Sequence, residues 1–204
     1  MGLDKLHGFT QQSGATSWVV PGVIVLLSVV IAFAGDLGRE WLRYDRVWIA
    51  QGEAWRLVTG HVAHLSWSHL VLNALGLLLV WYLVGSSYSL RAWVLIVATS
   101  LLTIDAAFWV FNPGLHWYVG MSGLLHGLLA AGIVARFLPI NAETLVLLLL
   151  LSAKITWEQF AGPVPGSVTT SGGPVVVDAH LYGALGGVLG ALLARIRVGQ
   201  ARTI

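Results

Sequence analysis

The sequence predicts an all-α fold: a polytopic membrane protein with a bundle of six transmembrane helices and an amphipathic first loop. Composition is the first reason. Of 204 residues, 57% are hydrophobic and 10% charged, whereas a soluble domain carries about 25% charge. The mean hydropathy is +0.81. The second reason is a series of six apolar runs, several at the short end of the roughly 17–25 residues a spanning helix needs. The third is a long first loop, residues 35–67, in which Arg39, Arg43, Arg46 and Arg56 are balanced by Asp36, Glu40, Asp45 and Glu53. Trp41, Tyr44, Trp48, Trp55 and Trp67 are interleaved with these charges, a pattern that suits short helices lying at a membrane–water interface.

Taken in order, residues 1–17 are polar and read as a disordered tail. The run 18–34 has no basic segment directly before it and no clean small-residue cleavage site after it, so it reads as a retained first helix and not a signal peptide. Further spans are expected at 69–84, 90–111, 122–137, 143–160 and 176–194. The membrane domain is placed at 18–196, followed by a short basic tail at 197–204. No internal repeat or linker suggests a second domain. With the N-terminus inside, the cytoplasmic side holds Lys5, Arg91, Arg136, Arg195, Arg197 and Arg202. The outer side holds the four loop arginines and Lys154. The remaining inner loops are short and basic, so both termini are placed in the cytoplasm.

Several function classes drop out here. A net charge of +2 is too mild for nucleic-acid binding. The chain has no cysteine, which removes disulfides, thiolate nucleophiles and thiolate metal sites together. No cofactor and no metal site is expected.

Depth arithmetic picks out the polar residues. Ser122 lies fourteen residues before Arg136, about 21 Å up a helix that rises about 1.5 Å per residue. His180 lies fifteen residues before Arg195, about 22 Å up. His69 lies sixteen residues before Gly85, about 24 Å up. In a hydrocarbon core about 30 Å thick, all three share one level in the outer half. A Ser and a His at one depth are a candidate nucleophile and general base. His69 and Asn73 are four apart and share a helix face. With the backbone N–H of Ser122 they are candidate oxyanion donors. Singly, each has an ordinary explanation: a small packing Ser, a His at a helix start, an Asn bonded between helices. Together, at one depth, they favour catalysis.

These residues fall in motifs that resemble those of the rhomboid intramembrane serine proteases. Glu53-Ala54-Trp55-Arg56 is similar to the family's first-loop motif. His64, His69 and Asn73 resemble its entry to the second helix. Gly120-Met121-Ser122-Gly123 resembles its nucleophile motif, and Ala179-His180 through Gly183 and Gly187 its last helix. The resemblance covers about residues 50–194 and implies a rhomboid-like six-helix bundle. It also implies a Ser122–His180 dyad with His69 and Asn73 holding the oxyanion, and small residues at 183 and 187 that let the last helix approach the fourth. Asp178, two residues from His180, points elsewhere on the helix and is not promoted to a third member. Where many rhomboids carry a Tyr stacked on the catalytic His, this chain has His126, whose imidazole could stack in its place or compete as a base; the intact motif around His180 favours stacking. His126 and the stretches 115–118, 154–159 and 177–182 are most like the bacterial rhombosortase branch. That likeness implies cleavage of transmembrane substrates near a Gly-Gly motif that precedes a C-terminal helix. It also implies contact with membrane lipids and a site opening to the periplasmic side of a bacterial inner membrane. The competing readings are an inactive rhomboid-like binder of transmembrane helices and a small transporter. Asp105 and Lys154 are left with three options: to pair with each other, to pair with loop residues, or to face a water cavity. Residues 162–174 form an irregular loop that is either a cap over the site or a plain linker.

Overall fold

The computed structural model describes residues 18–137 and 139–200, with side chains through Arg195. The expected tail at 1–17 and the last four residues lie outside the described part. The chain begins with helix α1 (Val19–Phe33). The first loop holds α2 (Gly35–Leu42), strand β1 (Tyr44–Asp45), α3 (Arg46–Ala50) and α4 (Arg56–Thr59). Next come α5 (Trp67–Val84), α6 (Leu90–Phe111), strand β2 (Trp117–Tyr118), α7 (Ser122–Ala135) and α8 (Ala142–Ala161). A short α9 (Ser167–Ser171) precedes α10 (Asp178–Gln200).

The sequence marks the starts of α5, α6 and α8 with side-chain caps. Ser66 accepts from the His69 N–H at 3.1 Å, Ser89 from Ala92 at 3.4 Å, and Asn141 from Thr144 at 2.8 Å. Each satisfies a donor that the first helical turn cannot. The basic residues at the far ends do the converse. Arg136 reaches the carbonyl of Leu83, and Arg195 that of Val134, satisfying orphan carbonyls at helix C-termini.

Among the described residues, three helices, α5, α6 and α8, are long and apolar enough to cross a membrane, whereas α1 and α7 are shorter apolar helices. The last helix runs on to Gln200, so the first residues of the expected basic tail continue it. The chain is mainly helical, yet β1 and β2 form an antiparallel pair, with Tyr44 opposite Tyr118 and Asp45 opposite Trp117. That pair is too short to leave an alternating signature in the sequence. It fastens the first loop to the segment just before Ser122.

The loop arginines serve the fold. Arg46 donates to the carbonyls of Phe108 (3.1 Å) and Trp109 (2.8 Å), closing the end of α6. The buried Arg56 donates to Glu53 at 2.6 Å and to the carbonyls of Glu40 (2.8 Å) and Arg43 (3.0 Å). Its neighbour Trp55 is exposed. The Glu53–Arg56 motif therefore ties the first loop to itself. Asp105, one of the two unassigned charges, pairs with a loop residue: its Oδ1 lies 3.1 Å from His61 Nε2, and both side chains are buried. The segment 162–174 is docked, with Ser66 Oγ donating to Ser171 O at 3.0 Å and Ser68 Oγ to Thr170 O at 2.8 Å.

Helix α7 sits at the centre, and its most extensive neighbours are α10, then α6 and α5. A Cβ built at Gly183 would collide with the Gly123 carbonyl. One at Gly187 would come within 2.6 Å of Gly127 C and 2.7 Å of its Cα. The two backbones are thus in direct contact, the close approach that small residues permit between membrane helices. Gly187→Ala should therefore lower the thermal unfolding midpoint in detergent, by an amount equivalent to about 1–3 kcal/mol. Gly22 in α1 has nothing within 4 Å of such a Cβ. Gly22→Ala should cost nothing and gain up to about 1 kcal/mol from helix propensity. Equal effects at the two sites would contradict the contact.

Candidate active site

Ser122 is the first residue of α7, whose N-cap position, Met121, offers no side-chain cap. The first backbone N–H groups of that helix are therefore left for another acceptor, at its positive dipole end. The turn into the helix requires Gly120, which has φ +139°, a conformation costly for residues with a Cβ. It is held from three sides. Gly120 N donates to Gly60 O at 3.1 Å. Tyr118 Oη donates to Gly120 O at 2.6 Å. The His69 ring lies against it, 3.3 Å from the position of a Cβ. Burial pushes the Tyr118 phenol up, so it remains a neutral donor.

The α7–α10 contact brings His180 to Ser122. His180 Nε2 lies 2.8 Å from Ser122 Oγ, and His180 is 3% exposed. One turn below Ser122, His126 stacks on His180 with ring centroids 4.2 Å apart and planes 15° from parallel. Its Nδ1 donates to the Ser122 carbonyl at 2.7 Å. Across the site, His69 Nδ1 accepts from the Leu65 N–H at 3.4 Å. An acceptor Nδ1 puts the ring proton of neutral His69 on Nε2, the edge facing Gly120. Asn73, one turn further along α5, is buried with an unpartnered Nδ2. A buried amide donor without a partner is costly, and it is available to a ligand oxygen. Gly123, on the inner side of Ser122, would bring a Cβ within 2.8 Å of Ala179 O; it belongs to the same helix contact.

A bare Ser–His pair would leave His180 Nδ1 free. It is not free: Glu158 Oε2, from α8, lies 2.7 Å away. Lys154 Nζ lies 2.6 Å from the other oxygen, Glu158 Oε1. The second unassigned charge thus pairs within its own helix. Sequence reasoning gave Glu158 no role. Its signal was a carboxylate inside an apolar run, on the stripe Thr144, Leu151, Glu158 that α8 buries. Asp178 turns elsewhere and accepts from Asn112 Nδ2 at 2.6 Å.

His126, Glu158 and His180 offer ligand atoms within 4.8 Å of one another, a metal-like spacing. The geometry argues for hydrogen bonding instead. Imidazole lone pairs lie in the ring plane, and two stacked rings direct them side by side and not toward a common point. Both nitrogens of His180 already have partners.

His64 sits ahead of α5. It is buried, donates from Nδ1 to Val62 O at 3.1 Å, and has no partner at Nε2. Burial first, then the neighbouring His69, lowers its pKa from 6.5 to about 3. Between those values the unfolded chain binds the proton and the folded chain does not, so stability falls as pH falls. This contribution is complete above pH 6.5, is lost progressively toward about 3, and is constant below. His64→Gln should make the fall of the unfolding midpoint between pH 6.5 and 3 shallower than in the wild type. An unchanged slope would show that His64 is not held neutral.

Residues 51–197 match the model of the Rhomboid domain family. An uncharacterized protein of Mycobacterium leprae (strain TN) is 26% identical over 204 residues, spanning 90% of this chain and 75% of its own. The rhomboid protease GluP of Bacillus subtilis (strain 168) is 39% identical over 83 residues, 41% of this chain and 16% of its own.

Proposed function

The chain belongs to the rhomboid family, and on that premise we propose that it is an intramembrane serine endopeptidase. The observation that carries this reading is the 2.8 Å bond between Ser122 Oγ and His180 Nε2. In the reaction, Oγ attacks a peptide carbonyl while His180 Nε2 takes its proton. The oxyanion that forms is met by His69 Nε2–H, Asn73 Nδ2 and the Ser122 N–H. His180 then returns the proton to the leaving amine as the C–N bond breaks. Water, deprotonated in turn by His180, releases the acyl group as a carboxylic acid and restores Ser122. His126 holds the plane of His180 by stacking, an aromatic contact worth about 0.5–1.5 kcal/mol.

In this reading α1, α5, α6, α7, α8 and α10 all cross the bilayer, the shorter α1 and α7 included, with the first-loop helices at the interface. Both termini are cytoplasmic, and the site opens to the periplasmic side of a bacterial inner membrane. The substrates are single-pass proteins cut near a Gly-Gly motif that precedes a C-terminal helix. That substrate class rests on the likeness of His126 and residues 177–182 to the rhombosortase branch. The GluP name supports protease activity as such.

Ser122→Ala should abolish both labelling by a fluorophosphonate and cleavage of a Gly-Gly-tailed membrane substrate. The loss should be about a millionfold, as for other nucleophile deletions. A folded Ser122→Ala protein that still cleaves would end the protease reading. Asn73→Ala should lower kcat by about 10²–10³ with little change in folded fraction. Unfolding with unchanged activity per folded molecule would make Asn73 a packing residue instead.

A further inference from the structure

The mechanism above uses neither of the two ionisable side chains that α8 brings to the site. Glu158 is 3% exposed. A carboxylate within an apolar helix is costly unless it is partnered, and here each oxygen has one. Oε2 faces His180 Nδ1 at 2.7 Å, and Oε1 faces Lys154 Nζ at 2.6 Å; Nζ also stands 3.4 Å from Nδ1, a longer contact than the one from Oε2. Lys154 has a partly exposed side chain, so its stem runs along the helix surface while its head reaches inward.

A carboxylate only accepts and an ammonium only donates. Oε2 can bond His180 Nδ1 only if that nitrogen carries the proton. The lone pair of neutral His180 is then on Nε2, which faces Ser122 Oγ. Ser122 can lose its proton only to that tautomer. We propose that Glu158 is a positioning residue that holds His180 as the Nδ1–H tautomer, and that Lys154 anchors the carboxylate through its other oxygen. The consequence for rate rests on the protease reading; the tautomer does not.

The role of Lys154 gives the proposal an unusual signature. In Glu158→Gln the side chain keeps its shape but has one acceptor and one donor end. Lys154 has no acceptor, so it selects the amide oxygen. The NH₂ is then presented to His180 Nδ1, which must become the acceptor. The proton moves to Nε2, and the base is lost. With Glu158 removed alone, Lys154 Nζ, 3.4 Å from Nδ1, could only donate to that nitrogen. The near-isosteric variant is thus worse than a truncation that also removes Lys154: Glu158→Ala/Lys154→Met leaves the imidazole free to take either tautomer. In Glu158→Gln, replacing Lys154 as well frees the amide to turn its oxygen to His180.

The test compares Glu158→Gln with two double variants, Glu158→Ala/Lys154→Met and Glu158→Gln/Lys154→Met, full length in detergent, each corrected for folded fraction. Glu158→Gln should lose about 10³–10⁴ in kcat with KM little changed, the scale of a wrong-tautomer histidine in serine proteases. Glu158→Ala/Lys154→Met should lose less, and Glu158→Gln/Lys154→Met should regain at least about tenfold over Glu158→Gln. A purely structural carboxylate would give the opposite order, with the isostere best tolerated. Nitrogen NMR of histidine-labelled protein, with the His180 signal assigned by its loss in His180→Ala, reads the tautomer without any turnover. It should show Nδ1–H in the wild type and Nε2–H in Glu158→Gln. A wild-type Nε2–H, or a Glu158→Gln at least as active as Glu158→Ala/Lys154→Met, overturns the proposal. A wild type without Ser122-dependent labelling or cleavage defeats the protease reading instead, and the NMR result still decides the role of Glu158.

Discussion

The contact on which the site depends is the one between the backbones of α7 and α10. Lipid tails supply no hydrophobic drive for one apolar helix to seek another, so membrane helices associate through close packing and polar contacts. Gly183 and Gly187 remove the side chains that would hold the two axes apart, and the carbonyls of Gly123 and Gly127 fill that space. At this separation Cα–H groups of one helix can meet carbonyls of the other. Ser122 and His180 lie at the ends of the pair, and their separation is set by a stretch with no flexible side chain in it. The His126–His180 stack extends the same contact by one more turn.

Around that pair, polar groups are distributed by need. The arginines of the first loop look from composition like a membrane-surface patch. In the structure Arg46 and Arg56 are spent on carbonyls that the ends of α6 and the loop would otherwise leave unpaired. The loop's histidine partner for Asp105 and its Gly60 carbonyl for Gly120 bind it to the bundle just beneath Ser122. The loop therefore acts as a brace on the nucleophile turn.

Much of this was readable in the chain. The third apolar run ends where Ser89 and Asn112 stand, and α6 occupies those bounds. Rise per residue alone put Ser122 and His180 at one level, because both are counted from arginines that cap the same end of the bundle. What escaped depends on rotation and on distance along the sequence. The partner of Lys154 was missed although it stands only one turn away, at Glu158. Nothing in their apolar run says which way α8 turns its Thr144–Leu151–Glu158 stripe, or that His180 waits there. The His61–Asp105 pair spans 44 positions, and the two-residue strands joining Tyr44 to Tyr118 carry no periodicity to detect. The number of spans sits between these cases, since α1 and α7, at 15 and 14 residues, are too short for length to decide.

The two sides of His180 are held with different firmness. Its Ser122 side belongs to the glycine-packed pair. Its Glu158 side belongs to α8, whose most apolar stretch is 17% buried, against 39% for α5 and α6. A hydrogen bond weakens steeply with about an ångström of displacement, whereas the packed pair has no room to follow. Lateral pressure from lipid, or the wedge of an incoming helix, would therefore act on the base through α8 alone. The two sides compare to the halves of a clutch: Ser122 and His180 sit on the closely packed plate, and the partner of His180 Nδ1 sits on the helix that faces lipid most.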